Sequence, residues 1–354
     1  MDFTFNDEQL SFQDSVRAFL TNQVTPERQR ELWATESGRS DELWAQLADL
    51  GLTALNVPED FGGLGLDETD WVLLAQECGY AALAEPLLDT MLVGVPLLAA
   101  LGDEHHEFKA DWLQRIAEGR ARLAVGHPDN LLVADAHVAD LLILGTHDEV
   151  HAVPRSAVSL TRNPALDPAR QLFSVDWTQS AATLIASGEQ ASALWDAAFE
   201  HGSLSCAAQL LGLAKRMVDL AVDYSFERKQ FGKPIGSFQA VKHLMADVAV
   251  LIEFAKGPLY RAGQSVAEGH PQASLHVSHA RIACAEAAML AAKNAIQVHG
   301  AMGYTWEVDL QLYMKRAWAL DKVWGDRGLH KARLSCALFD GAVAAGAGQT
   351  FTTR

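Results

Sequence analysis

From residue 189 to residue 339 the chain keeps a helical period almost without interruption, and no other feature limits its fold as strongly. Apolar positions recur at helical spacing over four stretches, roughly 190–227, 237–268, 271–299 and 308–339. Four helices of that length with short connections predict a bundle. The third stretch is alanine-rich (Ala280, Ala283, Ala285, Ala287, Ala288, Ala291, Ala292), so a neighbouring helix can approach it closely.

The chain ahead of the bundle divides in two. Asn6 followed by Gln9 makes a capping-box-like start, and Phe12, Val16 and Phe19 repeat at helical spacing behind it. Ser40 opens a second helix with the stripe Leu43, Trp44, Leu47 and Leu50, and Gly51 stands just past its end. The turn-rich Pro58-Glu59-Asp60-Phe61-Gly62-Gly63-Leu64-Gly65 then precedes helices near 67–84, 86–101 and 103–119. At about residue 121 the texture changes. Short apolar runs (138–144, 149–153, 156–160, 182–186) are split by Gly145, Pro154, Asn163-Pro164 and Pro168, which predicts a small antiparallel β domain. The expected organisation is mainly α: an N-terminal helical domain over 1–120, the β domain over 121–188, and a four-helix bundle over 189–340. A flexible Gly/Ala/Thr-rich tail over 341–354 completes it.

Charge narrows the function. The net charge is −17, which argues against sequence-independent binding to nucleic acid or anionic lipid. The surplus is uneven: residues 1–120 hold 7 Lys/Arg against 23 Asp/Glu, whereas residues 189–354 hold 17 against 15. A phosphate-bearing ligand is therefore expected in the second half. Cys78, Cys206, Cys284 and Cys336 stand far apart with no metal-ligand spacing, as reduced core thiols would. With no signal-like start and no apolar run long enough to span a bilayer, the reading is a cytoplasmic protein.

Two clusters could carry chemistry. The first, Arg228-Lys229-Gln230-Phe231-Gly232 with Gln239, connects the first two bundle stretches. It reads either as a solvated helix–helix loop or as a nucleotide clamp. In the clamp a guanidinium grips phosphate, a ring stacks on a base and a carboxamide reads a polar edge. The second, Gln297-Val298-His299-Gly300-Ala301-Met302-Gly303-Tyr304, ends the third stretch. One glycine serves as a helix cap, while two spaced by three can also offer backbone N–H groups to a phosphate or a ribityl chain. His299 alone reads as a packed or solvated histidine.

Taken together, the order of domains and the two clusters resemble the acyl-CoA dehydrogenase family. The turn Pro58–Leu66 resembles that family's P-E-x-x-G-G-L-G segment, and Tyr304–Arg316 its G-Y-x-x-E…R stretch, so the resemblance spans nearly the whole chain. It implies FAD lying across a subunit interface. Arg228, Phe231 and Gln239 would serve its adenosine and pyrophosphate end, and Gln297, Gly300 and Gly303 would line pyrophosphate and ribityl. Ala301 stands where the family commonly has another glycine.

Other family features are missing. The T-E-x-x-x-G-S-D and W-I-T-N strands that hold the flavin ring are not found in 121–188, which is shorter than usual, and Trp177-Thr178 has no supporting pattern. The catalytic base, a carboxylate with its pKa raised toward neutrality, falls at Trp324 by one family alignment and at Gly202 by the other. Neither takes a proton. Asp326 and Glu200 lie two residues away, a displacement that turns a helical side chain by about 200°. The resemblance thus implies a subunit without its own base. It would complete the FAD site of a paralogous partner in an α2β2 acyl-CoA dehydrogenase, with an acyl-CoA, possibly a steroid side-chain thioester, as substrate. Electrons would pass to an electron-transfer flavoprotein. The alternatives are a self-sufficient homotetramer using Glu200 or Asp326, and a flavin-free scaffold.

Overall fold

The structure, a computed structural model, describes residues 4–341 and 343. The first part is helical. Helix α1 (Asp7–Gln23) starts on a complete capping box, Asn6 accepting from the Gln9 N–H while the Gln9 side chain accepts from the Asn6 N–H. Helix α2 (Pro26–Trp33), which the sequence analysis does not anticipate, has Thr25 as its cap and Pro26 in its first turn. Helix α3 (Asp41–Asp49) is capped by Ser40 and buries Trp44 and Leu47. It is followed by α4 (Glu68–Ala81), a π-helical turn Asp89–Gly94, α5 (Val95–Ala99) and α6 (His106–Ala117).

Seven strands follow: β1 (Leu123–Val125), β2 (Val133–Ala134), β3 (Leu141–Thr146), β4 (Glu149–Pro154), β5 (Ser159–Asn163), β6 (Leu172–Asp176) and β7 (Leu184–Ser187). They form two sheets, ordered β1-β3-β4-β7 and β2-β6-β5. The expectation of an antiparallel unit needs one correction. Strands β1 and β3 run parallel, Leu123 opposite Leu141, because residues 126–140 supply the long crossover that a parallel pair requires. The apolar run in β3 is continuous because both its faces are covered. Leu141 and Ile143 join the main core, whereas Leu142 and Leu144 pack with Val133, Val153 and Phe173 between the sheets.

The bundle begins with α7 (Glu189–Glu227), about 58 Å long at the usual helical rise. A hairpin of β8 (Lys229–Gln230) and β9 (Lys233–Pro234) leads into α8 (Gln239–Ala267), and α9 (Ala273–His299) follows. The fourth expected helix, 308–339, is in fact two: α10 (Leu310–Leu320) and α11 (Arg327–Phe339). Trp324 (φ 54°) and Gly325 (φ 82°) both adopt left-handed backbone, and Asp326 then caps α11 through the Leu329 N–H at 3.0 Å. Of the cysteines, three are buried as expected and Cys336 is exposed. The expected flexible tail lies outside the described residues, except for Gly341 and Val343.

Candidate functional site

The first cluster and the second meet at one end of the bundle, where α7 and α9 finish and α8 begins. Arg228 follows α7 directly, its N–H donating to the Tyr224 carbonyl and its own carbonyl accepting from the Ile235 N–H at 2.8 Å. The hairpin turn is Phe231-Gly232, with φ of 53° and 80°, the paired positive values of a type I′ turn. Glycine adopts that backbone freely; phenylalanine does so at a cost on the order of 1–3 kcal/mol. Phe231 is 91% exposed. Arg228 and Gln239 are exposed too, and among the described residues the Arg228 guanidinium has no ion-pair partner.

The second cluster closes the same end. Gln297 is exposed on the last turn of α9, and Gly300 terminates the helix with φ 61° and ψ −136°, a combination open in practice only to glycine. Gly303 is buried, and a Cβ there would stand 2.9 Å from the Ile296 carbonyl oxygen. The turn Gly300–Tyr304 is thereby folded tightly against the end of α9. An exposed unpaired guanidinium, an exposed ring, two exposed carboxamides and an open glycine turn are the groups a dinucleotide's adenosine–diphosphate end calls for.

The other half of the site has a different character. The two base positions of the sequence analysis, Gly202 on α7 and Trp324 before α11, touch one another. A Cβ at Gly202 would lie 2.3 Å from the indole of Trp324, which is 4% exposed. The Trp324 carbonyl accepts from Ser203 Oγ and from His330 Nε2, each at 3.0 Å. Arg281, fully buried and without a carboxylate partner, donates Nη2 to the carbonyls of Leu320, Val323 and Gly325. Three helices therefore hold the Trp324 loop in place.

Both neighbouring carboxylates are engaged by other groups. Asp326 is spent on the cap of α11, which with Lys322 holds its carboxyl below the ordinary range. Glu200 lies away from Gly202 around α7 and pairs with Arg333 of α11; burial outweighs that pairing and raises its pKa.

The seam between the β1-β3-β4-β7 sheet and the bundle is filled with rings, which the sequence analysis does not single out. The turn leaving β1 is Gly126-His127-Pro128-Asp129. His127 packs edge-on against Trp195 (5.4 Å between centroids) and Trp324 (5.5 Å), with Phe199 at 5.8 Å. Burial depresses its pKa, favouring the neutral imidazole. Trp177 is occupied elsewhere, edge-on to His151 at 5.0 Å. Beyond Trp324 lies a cavity of about 70 Å³, lined by Arg39, Glu85, Asp89, Arg170 and Gln171 among others. Pockets for small-molecule ligands are usually about 300–1,000 Å³. Burial pushes the Glu85 carboxyl up to about 7 and that of Asp89 up to about 6. The residues present thus fit the dinucleotide end of FAD on the bundle surface, while between sheet and bundle His127 and Trp324 pack against other rings.

Among the described residues no group of His, Cys, Asp or Glu could hold a metal ion, and no helix is long and apolar enough to cross a membrane. Comparison with known proteins gives a consistent picture. The sequence profile of the acyl-CoA dehydrogenase N-terminal domain matches residues 6–120, and that of the C-terminal domain matches residues 193–337. The acyl-CoA dehydrogenase IpdE2 of Mycolicibacterium smegmatis is 31% identical over 336 residues, covering 94% of this chain and 100% of the relative. Among solved structures, the ChsE4–ChsE5 complex from Mycobacterium tuberculosis superposes with a TM-score of 0.84 at 24% identity, over 96% of this chain and 99% of that one. A variant of the Tcur3481–Tcur3483 steroid ACAD gives 0.84 at 22% identity, over 95% and 99%.

Proposed function

The chain belongs to the acyl-CoA dehydrogenase family, and from that premise we propose that it is the base-lacking subunit of a hetero-oligomeric, FAD-dependent acyl-CoA dehydrogenase. The observation that carries the proposal is the Trp324 indole lying on Gly202, so that one aromatic side chain fills the place of both family bases. In this reading the units 1–120, 121–188 and 189–340 keep the family architecture while the flavin of the working site belongs to a paralogous partner in an α2β2 assembly.

Bound FAD supplies the hydride acceptor for α,β-dehydrogenation of the acyl-CoA. This chain's contribution is to bind and orient. Arg228 neutralises diphosphate charge, Phe231 stacks on the adenosine end, and Gln239 reads a polar edge there. Gln297 and the backbone at Gly300 and Gly303 hold the pyrophosphate and ribityl. Proton abstraction is left to the partner's carboxylate, and the electrons leave to an electron-transfer flavoprotein. A steroid side-chain CoA thioester is the proposed substrate class, supported by a structural neighbour described as a steroid ACAD. The assembly works in the cytoplasm.

Purification of the chain by itself tests this reading. The expected product is colourless and inert toward acyl-CoA thioesters. A yellow protein bleached by an acyl-CoA would overturn it.

A further inference from the structure

We infer that Tyr224 and His299 are a positioning pair that sets the spacing between the two halves of the flavin clamp, an inference that rests on the reading above and adds residues to it. Their rings stack with centroids 4.4 Å apart and planes 21° apart. Among the described residues this is the one ring pair joining α7 to α9. Tyr224 sits one turn before Arg228 and accepts its N–H, so the position of Tyr224 fixes where Arg228 and the hairpin leave the helix. His299 is the last residue of α9, between Gln297 and Gly300.

The imidazole is held on both sides. Its Nδ1 lies 2.8 Å from the Ala295 carbonyl, so Nδ1 carries the proton. Burial favours the neutral ring, which can stack on tyrosine without bringing a charge into the core. A Cβ at Gly303 would stand 3.2 Å from the His299 Cβ, so the glycine turn is folded back directly on this residue. Separate ties fix the remaining parts of the clamp. Asn294 Nδ2 donates to the Leu244 carbonyl of α8 at 2.8 Å, and a Cβ at Gly236 would meet Ser225 Oγ at 2.6 Å. The stack therefore joins the α7 end that carries Arg228 and the hairpin to the Gln297–Gly300 half, beside the Asn294 bond that ties α9 to α8.

The test is titration of the flavin-stripped complex with FAD, read by flavin fluorescence. His299→Ala and Tyr224→Ala are expected to weaken FAD binding roughly tenfold, as misplacement of a binding group does. His299→Phe and Tyr224→Phe keep a ring and are expected to restore wild-type affinity. Where an alanine variant fails to assemble, His299→Gln removes the ring at similar volume and is expected to show the same loss. Arg228→Ala runs alongside. If Arg228→Ala weakens binding while the ring deletions do not, the pair has no positioning role and the clamp stands. A phenylalanine variant as weak as the alanine one also overturns the role of the stack. If Arg228→Ala has no effect either, the clamp itself fails.

Discussion

The open end of the bundle and the cleft between sheet and bundle differ in character. At the open end of the bundle, Arg228, Phe231, Gln239 and Gln297 are exposed, and the backbone is held in left-handed turns at Phe231, Gly232 and Gly300 to keep them there. In the cleft between sheet and bundle the side chains are packed: Trp324 on Gly202, and His127 among Trp195, Phe199 and Trp324. Exposed groups have little part in stabilising the monomer, whereas buried rings stabilise it. The difference teaches which end offers its groups to solvent and which spends them on packing.

The strongest way to break this comparison is Trp324→Ala. If the cleft is core, the deletion costs about 3–5 kcal/mol of unfolding free energy, measured by denaturant titration. A loss under about 1 kcal/mol would mean the indole guards an open pocket. Gly202→Ala sharpens the same side. Its added methyl meets the indole and is expected to destabilise the chain by about 1–3 kcal/mol, and Gly202→Ala combined with Trp324→Leu should recover part of that. On the open side, Arg228→Ala is expected to weaken FAD binding to the complex about tenfold, with the midpoint of thermal unfolding of the isolated chain unchanged.

The remaining effect is on pH. Glu85 has its folded pKa raised by burial from the ordinary carboxylate range to about 7. Between pH 4.5 and 7 the native state therefore binds more protons than the unfolded chain, and stability from this group falls as pH rises through that window. The slope is at most about 1.4 kcal/mol per pH unit, and Glu85→Gln should flatten it. An unchanged pH profile in the variant would show that the cleft is wetter than its geometry implies.

Both clusters of the open half stand out in the sequence because each is local, and their assignment as a clamp rests on the family resemblance. A guanidinium, a Phe-Gly turn and a glycine-spaced helix end lie within a dozen residues of a helix terminus, and the structure places them on one end of the bundle. Helix α2 is equally local, with Thr25 and Pro26 at its start, but its eight mostly polar residues carry no apolar stripe to reveal it. What the sequence could not convey is distance across the chain. Gly202 and Trp324 each stood out as a missing base, yet their contact spans more than a hundred residues. The ring-filled seam needs His127, Trp195 with Phe199, and Trp324 from three separate segments. The parallel β1–β3 pairing and the break before α11 follow from the same cause, since a crossover and a left-handed Trp-Gly pair are decided by what packs around them.

Counting flavin in the assembled complex probes the central claim most directly. Two different polypeptides, co-purified and quantified by absorbance and by mass, should carry one FAD for every two chains. One FAD for every chain would put a flavin in the cleft that Trp324 and His127 fill, and would contradict the account.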